Sequence, residues 1–270
     1  MPAIQLGLCC INTILRARKP TIYCSRTCRM ETIKQKGIDW AKELSFQNIS
    51  DIKKLIDWNI NNNIFVLRLS SDMFPHSTNP QLGGYTLEYC NDQLLEVGEY
   101  ARKVGMRLTF HPGQFNVIAS PKPDVFQHTV DELSHHAEIL DRMGCGVNSI
   151  MVIHGGGTYG DKESTILRWC ENYRKLPETV RNRLVLENCE KNFNINDCLR
   201  VSKITGIPVV FDTHHFECYK LLHPEEEFKP ASSYILPILT TWRKRGIKPK
   251  FHVSEQGVGR VGKHSDYIET

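Results

Sequence analysis

Strand-like apolar runs in this 270-residue chain repeatedly end in a metal-binding residue. Thr109-Phe110-His111, Met151-Val152-Ile153-His154, Leu184-Val185-Leu186-Glu187, Val209-Val210-Phe211-Asp212 (with His215 three residues on) and Phe251-His252 each close a β-rich segment with a histidine or a carboxylate. A lone histidine at the edge of a core is usually a hydrogen-bonded structural residue. Five such endings constrain the fold: if the strands are parallel neighbours, their C-terminal ends lie together, and imidazoles and carboxylates converge on one mouth as a multinuclear divalent-metal site.

β-type and helical patterns alternate along the whole length, with no low-complexity linker and no composition shift, so residues 1–270 are expected to form a single domain. Strands are predicted at 4–10, 64–70, 106–111, 149–154, 183–188, 208–212 and 249–253. Their Val, Ile, Leu and Phe content suits parallel strands covered on both faces. Helices are predicted at 48–62, opened by cap candidates Ser50 and Asp51, and at 88–104, 124–143, 161–175, 194–205 and 231–245. A doubly wound sheet puts its ligand at one switch point, whereas functional residues on nearly every strand end call for a TIM (β/α) barrel. Seven strands are counted, so the expectation is an α/β barrel whose eighth strand is missing from this chain. Its first and last strands are then expected to have unpaired edges.

A hydrophobic content of 40% supports a sizeable core, and no apolar run approaches a membrane span. The N-terminus has no basic region ahead of an apolar run, so the protein is expected to be unsecreted. Ten scattered cysteines read as reduced thiols of a cytosolic or nuclear compartment, with Cys24 and Cys28 the only pair at a spacing that suggests a metal or redox role. The net charge of +4 does not by itself announce a nucleic-acid binder. Arg16, Arg18, Lys19, Arg26 and Arg29 after the first strand, and Arg260 and Lys263 after the seventh, flank the expected mouth. Arg243, Lys244 and Arg245 read as a solvated helix end.

Strand parity puts Glu187 on the same face as Val185, pointing inward, and puts Lys250 beside His252. That lysine is either a contact for a phosphate, a carbamylated metal bridge, or a surface residue before a buried strand. His111-Pro112-Gly113-Gln114-Phe115 is a rigid turn carrying an amide and an aromatic ring, which can wedge into a base stack or, alternatively, pack beneath its own loop. Three glycines after His154 allow close approach of a polyanion, while His135-His136 sits in a helical pattern and reads as structural. No GxSxG, HExxH, Walker A or GxGxxG arrangement occurs in a supportive setting. A nitrogen and oxygen donor set without cysteine suits Mn²⁺ or Zn²⁺. Such a site supports in-line phosphodiester hydrolysis or sugar isomerisation.

Eight ordered motifs then carry a resemblance over the whole chain. Leu6-Gly7 with Asn12, Arg26-Thr27-Cys28-Arg29, Arg68-Leu69-Ser70-Ser71, His111 to Phe115, Val152 to Gly156, Leu186-Glu187-Asn188, Asp212 to His215 and His264 to Ile268 resemble those of the UV damage endonucleases. The resemblance implies an endonuclease IV-like TIM barrel with three divalent ions, Mn first and Zn, Mg or Co as alternatives. It implies incision of double-stranded DNA 5′ to cyclobutane dimers and 6-4 photoproducts by a monomer acting in the nucleoid-bearing cytoplasm or the nucleus. His111, His154, Glu187, Asp212, His215, His252 and His264 are then metal ligands, and Lys250 is a modified lysine. Lys250, His76 and Glu187 form the catalytic set, and Asn12, Gln114, Phe115, Arg26 and Arg29 contact DNA or lesion. Leu8 stands where some members carry a tyrosine, and the last-strand glutamate of the family has no counterpart, with Glu255 its possible substitute. Two other functions remain open at this stage: a sugar isomerase on the same barrel, and a lesion-binding protein that does not cut.

Overall fold

The structure is a computed structural model and describes residues 4–9 and 11–269. Seven strands alternate with helices among these residues, and the strand order in the sheet is the order in the chain. A doubly wound sheet reverses its strand order at a switch point; this sheet does not, which assigns it to the TIM-barrel class of α/β folds. β1 (Leu6–Leu8) and β7 (Phe251–His252) stand at the two ends of that order. By contacts the chain divides into two compact units, Met1–Pro112 with Asp131–Met151, and Gly113–Val130 with Val152–Thr270.

In the first unit β1 pairs in parallel with β2 (Ile64–Leu69), which pairs with β3 (Arg107–Phe110) in the register Val66↔Arg107 to Leu69↔Phe110. Leu6 on β1 is 64% exposed. The sheet is covered by the long helix Ile38–Asn61, whose buried Ala41, Leu44, Ser45, Asn48, Ile49, Ile52, Leu55, Ile56 and Asn59 lie on one face through i, i+3 and i+4 steps. Burying each such large apolar side chain is worth roughly 1.5–3 kcal/mol. The helix begins about ten residues before the predicted start, so Ser50 and Asp51 are interior positions and not caps. The Asp51 carboxylate serves side-chain and tertiary partners instead of a helix start: it accepts from Arg26 at 2.6 Å, from Lys54 at 2.8 Å and from the Tyr23 amide at 3.3 Å. Helix Asn91–Lys103 approaches its neighbour so closely at Gly98 that a Cβ would lie 1.7 Å from the Met143 carbonyl oxygen. His135 and His136 are structural, as expected. The Ser77 hydroxyl bonds His135 Nε2 at 2.8 Å, His136 Nδ1 donates to the Glu132 carbonyl at 2.7 Å, and the His136 ring packs edge-on to Phe110.

The second unit takes up the rest of β4 (Met151–His154), then β5 (Leu184–Glu187), β6 (Val209–Asp212) and β7. Every residue of β5 and β6 is buried, which explains their uninterrupted apolar runs. The ladder pairs Leu186 with Val209, Glu187 with Val210, and Asp212 with His252. Helices Lys162–Lys175 and Ile195–Thr205 start where their side chains dictate. Asp161 caps the first through the Ser164 amide, and Asn194 with Asp197 forms a reciprocal capping box on the second. Helix Ser232–Arg245 docks through Trp242 Nε1–H to the Val209 carbonyl at 2.7 Å and through Thr241 Oγ1, which accepts from the Val209 amide at 3.0 Å. Its last turn is only partly a solvated end, because Arg245 donates to the Arg181 carbonyl and the Tyr173 hydroxyl. Helix Thr213–Leu222 was not anticipated. It begins directly on the last residue of β6, with Asp212 as its cap.

Candidate metal centre

At the C-terminal ends of β4 to β7 the second unit gathers His154, Glu187, Asp212, His215, His252 and His264. Glu187 is fully buried and lies between two imidazoles, with Oε2 3.0 Å from His154 Nε2 and Oε1 bonded to His252 Nδ1. Ligand atoms of His154, Glu187 and His215 all lie within 4.8 Å of one another, a group able to hold a metal ion. Burial alone would lower the His154 pKa, but the hydrogen bond and charge of Glu187, with Glu190 and Asp212 behind, more than offset it and raise it.

His215 and His264 face each other with their Nε2 atoms 3.2 Å apart. The partner of His215 Nδ1 is the Asn188 carbonyl at 3.0 Å, which can only accept. Nδ1 therefore carries a proton, and Nε2 is the nitrogen turned toward His264. The Ser254 hydroxyl bonds His264 Nδ1 at 2.8 Å, which fixes the ring with Nε2 toward His215. Burial and the neighbouring His215 lower the His264 pKa, which keeps the ring neutral. A buried carboxylate between imidazoles, beside a second pair of facing imidazoles, fits a hard or borderline divalent cation such as Mn²⁺ or Zn²⁺.

Local sequence explains how each group arrives. His154, Glu187 and His252 close their strands. Asp212 closes β6 and caps the next helix, Oδ1 accepting from the His215 amide at 2.8 Å, and the first helical turn carries His215 back over the strand end. His264 comes from a loop: an antiparallel bridge between Gln256 and His264 folds the segment back after the turn at 257–262. Gly257 is needed there, since a Cβ would meet the His264 carbonyl oxygen at 2.6 Å. Asn188 and Ser254 were given no role on sequence grounds. Asn188 is signalled only as part of the Leu186-Glu187-Asn188 motif, and Ser254 only by its position two residues after His252.

Other expected site residues sit as follows. His111 lies one residue past β3 in the first unit, where its carbonyl accepts from the Ser71 hydroxyl at 2.8 Å. Lys250 is 8% exposed and directly precedes β7, which removes the reading of a surface lysine. Gln114 is exposed and Phe115 is 84% exposed, so the ring does not pack beneath its loop. His76 adopts a left-handed φ of 59° and bonds the Cys28 carbonyl at 2.8 Å. Arg29 is exposed and begins helix Met30–Lys36. Asn12 and Arg26 hold internal positions. Asn12 is 4% exposed and caps the Leu15 amide, and Arg26 pairs with Asp51, donates to the Thr21 carbonyl and lies over the Tyr23 ring. Glu255 Oε1 accepts from the Glu269 amide at 3.0 Å. The nine described cysteines are free thiols, and no helix among the described residues is long and apolar enough to cross a membrane.

Known proteins can now be set beside this geometry. The UV-damage endonuclease of Schizosaccharomyces pombe is 39% identical over 259 residues, covering 93% of this chain and 42% of that protein. The UV DNA damage endonuclease of Clostridium perfringens is 32% identical over 246 residues, covering 90% of this chain and 58% of that protein. This chain thus spans only about half the length of those two relatives. The crystal structure of SacUVDE superposes with a TM-score of 0.86 at 28% identity, covering 99% of this chain and 86% of that one. Residues 4–270 match the UV-endonuclease UvdE family, and the chain belongs to that family.

Proposed function

We propose that this chain is a divalent-metal-dependent DNA repair endonuclease that incises UV-damaged duplex DNA 5′ to cyclobutane dimers and 6-4 photoproducts. The observation that carries the proposal is the fully buried Glu187 carboxylate between His154 and His252, beside the facing His215 and His264 rings, in a chain of the UvdE family. The proposed ligand set is His154, Glu187, Asp212, His215, His252 and His264, with His111 added on the family resemblance. Three ions are proposed, Mn²⁺ foremost. Bound there, the metals would supply a nucleophile at neutral pH and neutralise the leaving oxygen.

The chain's own residues have distinct proposed tasks. Lys250, carbamylated in the family pattern, would help to hold or charge-balance the ions, and His76 would serve the lesion side. Gln114 and Phe115 fill the space left by extruded nucleotides, since an exposed ring beside an amide can stack and satisfy base edges together. Arg29 is the proposed phosphate contact. Asn12 and Arg26 belong to the proposed DNA-binding set only through the loop they hold in shape. The protein would act on DNA as a monomer, in the cytoplasm or nucleus of its host.

The test is incision of end-labelled duplex carrying a single photoproduct, with Mn²⁺ and with EDTA, mapped at nucleotide resolution. Metal-dependent cleavage immediately 5′ to the lesion is expected. Retention of damaged duplex without a nick would identify a lesion-binding protein. Turnover of ketoses with no effect on DNA would identify a sugar isomerase.

A further inference from the structure

We propose that Asn188 is a positioning residue of the metal centre, its side chain fixing the main chain of Asp212 and its carbonyl fixing the ring of His215. The inference rests on the reading that this cluster holds a divalent metal. Asn188 is fully buried, so it touches no substrate and can act only through its neighbours.

Its carboxamide is used at both ends by one residue. Nδ2 donates to the Asp212 carbonyl at 3.0 Å and Oδ1 accepts from the Asp212 amide at 2.9 Å. A carboxamide presents one of its N–H donors and its carbonyl acceptor side by side in a plane, matching the N–H and C=O that one strand residue turns to the same side. It therefore supplies a further rung between β5, which ends at Glu187, and β6, which ends at Asp212. Asp212 is held by its main chain on this side while its carboxylate caps the following helix through the His215 amide at 2.8 Å. The Asn188 carbonyl then accepts from His215 Nδ1 at 3.0 Å, so a single residue sets the strand end, the helix start and the tautomer of the ring that the helix carries. Because Asn188 follows Glu187 directly, the same bonds fix the chain leaving the central carboxylate.

A residue that served only the sheet would change stability and leave the metal unaffected. The two roles separate by measuring Mn²⁺ affinity by calorimetry, metal stoichiometry, and the visible spectrum of the Co²⁺-loaded protein, alongside melting temperature in EDTA. Asn188→Ala removes both side-chain bonds. Asn188→Asp keeps the size and the acceptor but loses the donor to the Asp212 carbonyl, and it remains interpretable if the alanine variant does not fold. Asn172→Ala is the control, a buried amide bonded to the Ile118 carbonyl at 2.8 Å and remote from the cluster in sequence. The expected result is a Mn²⁺ affinity weakened about 10- to 100-fold in the Asn188 variants, with an altered Co²⁺ spectrum, against unchanged affinity in Asn172→Ala despite a lower melting temperature. Wild-type affinity and spectrum in a folded Asn188 variant would overturn the assignment. If the wild-type protein binds no Mn²⁺, Co²⁺ or Zn²⁺, the metal reading itself fails and this inference falls with it.

Discussion

Gly155 links the packing of the second unit to its chemistry, and replacing it with alanine has a calculable effect. A Cβ at this position falls 2.2 to 2.5 Å from three atoms of the Phe193 ring. Carbon atoms in contact rest at about 3.5–4.0 Å, so the two groups must separate by roughly 1 Å or more. Phe193 has no room to yield. It is fully buried, its carbonyl accepts from the Cys189 amide at 2.8 Å, and its amide donates to Cys189 Sγ at 3.2 Å. The displacement therefore falls on the backbone at Gly155, whose chain neighbour is His154. Overpacking of this kind costs about 1–3 kcal/mol, which lowers the melting temperature by roughly 2–10 °C in a chain of this size. A shift approaching 1 Å at a reacting geometry can cost about 100-fold in rate. Scanning calorimetry in EDTA should show the first effect, and incision kinetics with Mn²⁺ the second. The double mutant Gly155→Ala/Phe193→Ala should be no less stable than Phe193→Ala alone, because the ring that clashes is gone. A Gly155→Ala protein that melts with the wild type, or a double mutant whose losses simply add, would refute the steric argument.

Glu187→Gln should abolish stabilisation by metal. At a Mn²⁺ concentration about a hundredfold above Kd the wild type gains ~2.7 kcal/mol, and differential scanning fluorimetry of the variant should show none of that gain. Replacing Gln114 and Phe115 together by alanine should leave the melting temperature unchanged, since both are exposed. It should cut the preference for damaged over undamaged duplex about tenfold or more, as expected for loss of one stacked ring; an unchanged binding ratio would remove the wedge. His135 provides a pH test in the first unit. Burial, with His136 beside it, pushes its pKa down to about 3. The unfolded chain takes up this proton near pH 6.5 and the folded one does not. Its contribution is therefore intact above pH 6.5 and lost as pH falls toward 3, to the extent of about 1–2 kcal/mol at pH 5. Urea titrations of wild type and His135→Gln should converge as pH drops from 7 to 5, and parallel curves would contradict this.

Elements whose identity is set locally were legible in the sequence. The apolar runs of β5 and β6 and the helices expected from 161 and 194 lie where the residues indicate, the structure adding the Asp161 cap and the Asn194 capping box that open those helices. Failures arose where one residue serves two structures. Asp51 looks like a cap because it is a polar residue before an apolar run, yet its partners are Arg26 and the Tyr23 amide, 25 and 28 residues away in sequence. Asp212 ends a strand and caps a helix in the same position, so Thr213–Leu222 had no separate start signal ahead of it. Arg26 meets Asp51 through a pairing of the same long-range kind, which no local pattern announces.

The site divides along the same line. Strand parity set Glu187 apart from Leu186, but all four residues of β5 are buried, so parity alone does not single out a functional face. What identifies Glu187 is its place at the strand's end, where apolar packing stops and a carboxylate must find partners or stay neutral. His154 and His252 were legible for the same reason, and they are the partners it found. His264 was not derivable this way. It reaches His215 through a hairpin-like return whose bridge to Gln256 no local pattern announces, and only the family motif pointed to it. Asn188 and Ser254 lie a step further from legibility, because their significance depends on which ring nitrogen each one meets. A sequence shows which residues can bind a metal; the hydrogen bonds behind His215 and His264 decide which nitrogen of each ring faces the cluster.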